Sequence, residues 1–174
     1  MSSEWLTVGL RQLWTFEMGS VMDSSITSDR KITITRTFDA PRELVWQAWT
    51  QREHLLNWIC PKDFTVLFVE VDLRPGGAWR SGMRSPDGRE YIHHGVYRQI
   101  DKPHRLVFTH TWEKNDIEPP ADTLITVTLT ELDGKTEMVF EHVGFATAES
   151  GESHRGGWTG AFDNLANLLS NAAD

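Results

Sequence analysis

The stretch GGWTGAFDNLANLL, Gly156 to Leu169, decides the fold. In it Trp158, Phe162, Leu165, Leu168 and Leu169 recur at spacings of three, four or seven, the period of one face of an α-helix. Such a face must be pressed against another layer. Glycine costs up to about 1 kcal/mol in a helix interior and is accepted more easily at a helix start. The pair Gly156-Gly157 therefore predicts a helix opening there, with Trp158 at the mouth of whatever lies beneath.

The layer beneath is legible between Phe64 and Phe145, where strand-like runs are separated by the turn signals RPGG, SPDG, DKPH and LDGK. Six strands fit this span. Asp133-Gly134 is a favoured two-residue turn that pairs Leu132 with Lys135 and so sets the register behind it. Ile125, Val127 and Leu129 then share a face with Met138, Phe140 and His142, opposite Thr126, Thr128, Thr130, Glu137 and Glu141. The same parity groups Leu106, Phe108, His110 and Trp112, then Trp79, Ser81 and Met83, then Tyr91, His93, Gly95 and Tyr97. In FTVLFVEVDL it assigns Leu67, Val69, Val71 and Leu73 to the buried side. A sheet apolar on one face needs a cover, and the quoted helix is the amphipathic segment available for it.

Upstream, KITITRTF (31–38) alternates as a strand, and Pro41 suits the first position of a helix running to Trp49. Thr50 and Glu53 have capping-box spacing, which predicts a second short helix through QREHLLNW. The whole order is strand, two short helices, six strands, long helix. This is an α+β helix-grip architecture, a curved antiparallel sheet of about seven strands wrapped around a C-terminal helix.

The chain has 174 residues, 39% apolar and 24% charged, which fits one globular domain. Residues 1–30 stand apart, because MGSVMDSSITSDR is polar and aperiodic; a loosely ordered, dispensable extension is expected, with Met18 or Met22 as alternative natural starts. The domain proper is expected over 31–174. The net charge of −8, without a basic stripe, argues against nucleic acid and anionic lipid as partners. The longest apolar run, FTVLFVEV, falls far short of the roughly 20 residues that span a bilayer. MSSEWLTVGL lacks a signal-peptide pattern, so a cytoplasmic location is the default expectation. A single cysteine, Cys60, excludes an internal disulfide and a Cys-rich zinc site.

Chemistry-bearing residues are few. His110 and His142 fall on the inner face, but their strands flank a third, which predicts a separation of roughly 10 Å, too wide for one metal ion. No HExxH spacing is present, and neither metal nor cofactor is expected. Glu70 and Asp72 share one side of a strand at roughly 7 Å and are expected to be solvated. Cys60 has no histidine within three residues and reads as a small filler. No GxSxG elbow, Walker loop or dinucleotide GxGxxG occurs, and RPGG precedes a hairpin instead of a phosphate-binding helix.

The motifs DAPRELVWQAWT, DLRPGGAWR, DGREY, HGVY, RLVFTH, LDGKTEMVFEHVGF and GGWTGAFDNLANLL, in that order, resemble the bacterial homologues of the heat-shock-protein-90 ATPase activator, within the START-like (SRPBCC) superfamily. The resemblance covers about residues 31–170. It departs from the family pattern where Trp-Trp-Gly-Pro is usual and this chain reads Trp58-Ile59-Cys60-Pro61, losing a ring and gaining a thiol at the expected rim. The resemblance implies an apolar cavity between sheet and helix, which in this sequence would be walled by Trp58, Trp79, Met83, Tyr97, Phe108, Trp112, Phe140, Trp158, Phe162 and Leu165. His93, His110 and His142 would act as polar orienting groups. The expected function is binding of a hydrophobic, ring-containing small molecule. A cyclase- or hydrolase-type enzyme using a cavity histidine is an alternative, as is a chaperone ATPase regulator, although the co-chaperone's separate N-terminal domain is not seen here. A homodimer is compatible with the pattern.

Overall fold

The computed structural model describes residues 30–113 and 121–172. The expected N-terminal extension, apart from Arg30, lies outside the described residues. Strand β1 (Lys31–Phe38) is followed by helices α1 (Arg42–Thr50) and α2 (Arg52–Leu55). Six strands come next: β2 (Thr65–Val71), β3 (Ala78–Arg84), β4 (Glu90–Asp101), β5 (Arg105–Trp112), β6 (Thr123–Leu132) and β7 (Lys135–Val143). Helix α3 (Ala148–Asn171) closes the fold. All seven strands form one sheet in the order β1-β7-β6-β5-β4-β3-β2, and every neighbouring pair is antiparallel.

The β6–β7 hairpin has the predicted register, with Leu132 opposite Lys135. Asp133 and Gly134 take φ of 50° and 81°, the double positive φ of a type I′ turn. Ile125, Val127 and Leu129 therefore stand opposite His142, Phe140 and Met138, and all six are buried. Helix α3 packs along β1 and against α1, where Arg36 donates to Asp163 at 2.8 Å. Under it lies an aromatic core centred on Trp49, whose ring meets Trp58 edge-on at 4.7 Å and approaches Phe140 and Phe162 at 6.2 and 6.1 Å. Each indole N–H there is used: Trp49 donates to Met138 Sδ at 3.3 Å and Trp58 to the Ala48 carbonyl at 2.9 Å.

Three local expectations are corrected. Helix α3 begins eight residues before Gly156, at a Thr147 N-cap whose Oγ1 accepts the Ser150 N–H at 3.1 Å. Its first two turns carry almost no apolar side chains, so no apolar period announced them. The capping box does not form, because the Thr50 hydroxyl donates back to the Trp46 carbonyl at 2.8 Å and so is committed to the preceding helix. In β2 a bulge between Val66 and Phe68 shifts the register, so Val66, Val69 and Val71 stand opposite Met83, Ser81 and Trp79. Leu67 is thereby displaced from the inner set, and Leu73, beyond the strand, is 40% exposed. Glu70 and Asp72 are both exposed.

Candidate functional site

Helix α3 covers two unlike regions. Its C-terminal half, with Phe162, Leu165 and Leu169, seals the core. Its N-terminal half, the segment Ile59–Phe64 and strands β3 to β5 enclose a cleft of about 520 Å³. The glycines of the quoted motif make this possible. A Cβ on Gly160 would sit 2.8 Å from the Lys62 backbone nitrogen, so glycine lets the 60–62 segment cross close over the helix. Beside the cleft, Gly156 faces open space.

The walls are mostly rings and thioether: Phe64, Met83, Tyr91, Trp112 and Trp158, with Ile59 and Pro61. Among the described residues, Lys62 is the only formally charged one in the lining. Cys60 lies in the wall, where its thiol donates to the Phe64 carbonyl at 3.3 Å and burial pushes its pKa up. A thiol held protonated is a filler, as its sequence context suggested.

The floor is a histidine cluster. The His110 and His142 rings lie 5.1 Å apart and His93 lies 5.1 Å from His110, so the expected 10 Å separation is overturned. That figure assumed a flat sheet, whereas curvature turns the inner-face side chains of β4, β5 and β7 toward one another. Thr123 on β6 completes the group. Trp158 Nε1–H donates to His142 Nδ1 at 3.2 Å, which leaves the proton of this ring on Nε2, 2.7 Å from Thr123 Oγ1. The Thr123 hydroxyl donates to the His110 carbonyl at 2.8 Å, so its oxygen faces His142, and more distantly His110 Nδ1 at 3.5 Å, as an acceptor. The His110 proton is thereby assigned to Nδ1, and its Nε2 accepts from His93 Nδ1 at 3.1 Å. His93 Nε2 is then left as a bare acceptor, buried and without a hydrogen-bond partner.

Electrostatics agree with neutral rings. Loss of hydration, followed by the fields of His154 and His94, holds His93 down to about 3. Burial is also the main cause that keeps His110 and His142 well below 6.5. Trp112 stacks on His93, with ring centres 5.1 Å apart, and its Nε1–H donates to His154 Nε2 at 3.0 Å. His154 Nδ1 is 2.8 Å from the Ser150 carbonyl and donates to it. Among the described residues, no group of three or more His, Cys, Asp or Glu side chains is arranged to hold a metal ion.

Of the residues expected at the site, Met83, His93, His110, Trp112 and Trp158 surround the cleft. Trp79, Tyr97 and Phe108 instead border a neighbouring void of about 30 Å³, whose wall His93 and Trp158 share. Trp58, Phe140, His142, Phe162 and Leu165 belong to the packed interior behind it, although His142 joins the histidine chain. Ser81, taken as a polar gap in the inner face, donates to the Phe68 carbonyl. Gly95 has no room for a Cβ, which would fall 1.8 Å from the Thr109 carbonyl oxygen and 2.6 Å from Trp79 Nε1; the bare backbone lets that indole reach across β4 and donate to Thr109 at 3.0 Å. Sequence reasoning missed His154. Its signal was the i, i+4 step to Trp158 and Phe162, hidden once the helix was begun at Gly156.

A curved antiparallel sheet gripping a C-terminal helix, with an apolar cleft between them, defines a helix-grip domain of the START-like class. The sequence model of the family described as Activator of Hsp90 ATPase homolog 1-like protein matches residues 39–170, and the chain belongs to that family. Among solved structures, protein CV1439 from Chromobacterium violaceum is 26% identical, covering 80% of this chain and 96% of its own, with a TM-score of 0.74. Ms6760 from Mycobacterium smegmatis is 25% identical over 85% and 93% of the two chains, with a TM-score of 0.70. The AHSA1 protein SPO3351 from Silicibacter pomeroyi, 23% identical over 82% and 99%, shares the fold with a TM-score of 0.73. No curated protein matches the chain. No helix among the described residues is long and apolar enough to cross a membrane.

Proposed function

We propose that this domain binds a hydrophobic, ring-containing small molecule between the sheet and α3. The observation that carries this is the cleft itself: about 520 Å³, inside the range of roughly 300–1,000 Å³ usual for small-molecule sites, and walled by aromatic faces with few polar groups. Flat rings such as Phe64, Tyr91, Trp112 and Trp158 offer large apolar area and favour offset or edge contacts with another ring. A packed interior has no such space, and the same helix shows both conditions along its length. The START-like fold is compatible with this role and does not by itself select it.

Two measurements test the proposal. Native mass spectrometry of the purified protein is expected to show a retained small molecule. Naphthalene derivatives are expected to change tryptophan fluorescence saturably, because Trp112 and Trp158 stand in the wall. An unliganded protein whose fluorescence and melting temperature ignore a broad set of apolar probes would show that the cleft is not a binding site.

A further inference from the structure

The proposed binding role leaves open what kind of ring compound is selected, and the histidine chain bears on that. Its hydrogen bonds have a direction. Trp158 is an obligate donor, so His142 must accept at Nδ1 and donate from Nε2. The single proton of Thr123 is taken by the His110 carbonyl. His110 is thereby set to donate from Nδ1 and accept at Nε2, and His93 to donate from Nδ1. The chain ends on His93 Nε2, which is buried and unsatisfied in a residue only 4% exposed. A buried acceptor left unpaired forfeits the hydrogen bond it had with water, so this atom is an unfilled position.

We propose that the cleft selects a neutral ligand bearing an O–H or N–H group, and that this group donates to Nε2 of His93, whose acceptor character is imposed by the chain running from Trp158 through His142, Thr123 and His110. The inference rests on the proposed binding role and specifies its ligand class, such as a phenol, an alcohol or an N–H heterocycle. His93 borders both the cleft and the adjoining void of about 30 Å³, a space large enough for one hydroxyl or one water. An anion is disfavoured at this position because its acceptor oxygens would meet a lone pair, and the Lys62 ammonium that could attract one belongs to an exposed residue. A cation is disfavoured because the cleft lining holds no Asp or Glu among the described residues, and Glu70, which borders the adjoining void, is exposed.

The test is calorimetric titration of the full chain with 2-naphthol, 2-methoxynaphthalene and 2-naphthoate, probes that share one ring system. The expected order is 2-naphthol tighter than the ether by about three- to tenfold, the range of a single hydrogen bond, with 2-naphthoate weakest. In His93→Leu the ether should still bind and the preference for the hydroxyl should vanish. Equal affinities of naphthol and ether in the wild-type protein, as when a resident water already satisfies Nε2, overturn the proposal while the binding role stands. Tightest binding by 2-naphthoate does the same. Binding of none of the three overturns both. Because His93→Leu removes the donor to His110 and can unfold the domain, nitrogen NMR of labelled histidines in the wild-type protein supplies a second readout. His93 should carry its proton on Nδ1 and His142 on Nε2; a proton on Nε2 of His93 overturns the proposal.

Discussion

At the scale of single residues, the buried histidines make acid stability the sharpest observable. His93 titrates near 3 in the folded chain, and His110 and His142 also lie well below 6.5. The unfolded chain takes up protons near 6.5, so below that pH it binds more protons than the native state does, and native stability falls. The stability is therefore fully present above about pH 6.5 and is lost progressively as pH drops toward about 3. Each such histidine contributes up to about 1.4 kcal/mol per pH unit inside that window. The groups around His93 are His110 on β5, His154 on α3 and His94 on its own strand, with Cys60, Lys62 and Tyr91 around the cleft and Tyr97 and Glu70 around the adjoining void; Glu70 is exposed, and no acid among the described residues is hydrogen-bonded to His93. Asp87 and Glu113, lowered chiefly by hydrogen bonds from Ser85 and Arg80, act in the same direction but sit at the exposed surface. Denaturant titrations between about pH 5 and 6.5 should show a steep fall for the wild-type chain, and His93→Gln should flatten it by up to one proton. An unchanged slope in that variant would mean that His93 already binds its proton in the folded state.

At the scale of elements, two of the four glycines of α3, Gly156 and Gly160, differ in what lies opposite them. Gly156 faces open space, so Gly156→Ala should gain helix propensity without a clash and raise stability by up to about 1 kcal/mol. Gly160→Ala should lower it, because the new methyl meets the Lys62 backbone at 2.8 Å and must push the 60–62 segment outward. Equilibrium unfolding of the two variants checks both signs; a gain in each would mean that the segment yields freely. These elements also show where sequence is transparent. Strand faces were legible because the Asp133-Gly134 turn sets a register and period-two alternation carries it along β6 and β7. The β2 parity failed because one extra residue at a bulge is silent in an alternating pattern. The start of α3 was hidden because residues 148–155 lie beside the cleft and the solvent, with only Gly151 fully buried, so burial imposed no apolar period there. The site was half legible for a related reason. Parity identifies which side chains face inward, as it did for His93, His110 and Trp112, whereas curvature decides which of them meet, and curvature belongs to the whole sheet.

At the scale of the molecule, the arrangement is a rigid half joined to a looser half, with the cleft at their junction. The rigid half contains Trp49, Trp58, Phe140, Phe162 and Leu165, each 2% exposed or less. The looser half is the Ile59–Phe64 segment with the first turns of α3, held to the sheet by polar links such as Trp112 to His154 and Arg155 to the Thr33 carbonyl and by the His154 ring against Phe145 and His142. Few buried apolar side chains and solvent-facing backbone hydrogen bonds mark a region that opens at low free energy. Amide exchange in residues 148–157 should therefore be faster than in 158–169, within one continuous helix. A bound ring would touch both halves at once, since Trp158, Gly156 and His154 on the helix and Met83, Tyr91 and His93 on the sheet line the same space. Ligand at about 100 times its dissociation constant adds about 2.7 kcal/mol to native stability, or roughly 5–10 °C in melting temperature for a chain of this size. The protection should fall on 148–160 and on 59–64, with little change in β6 and β7, interior strands of the sheet whose amides are expected to exchange only through global unfolding. Uniform slowing across the whole sheet, with the first turns of α3 unaltered, would place the ligand somewhere other than beneath Trp158.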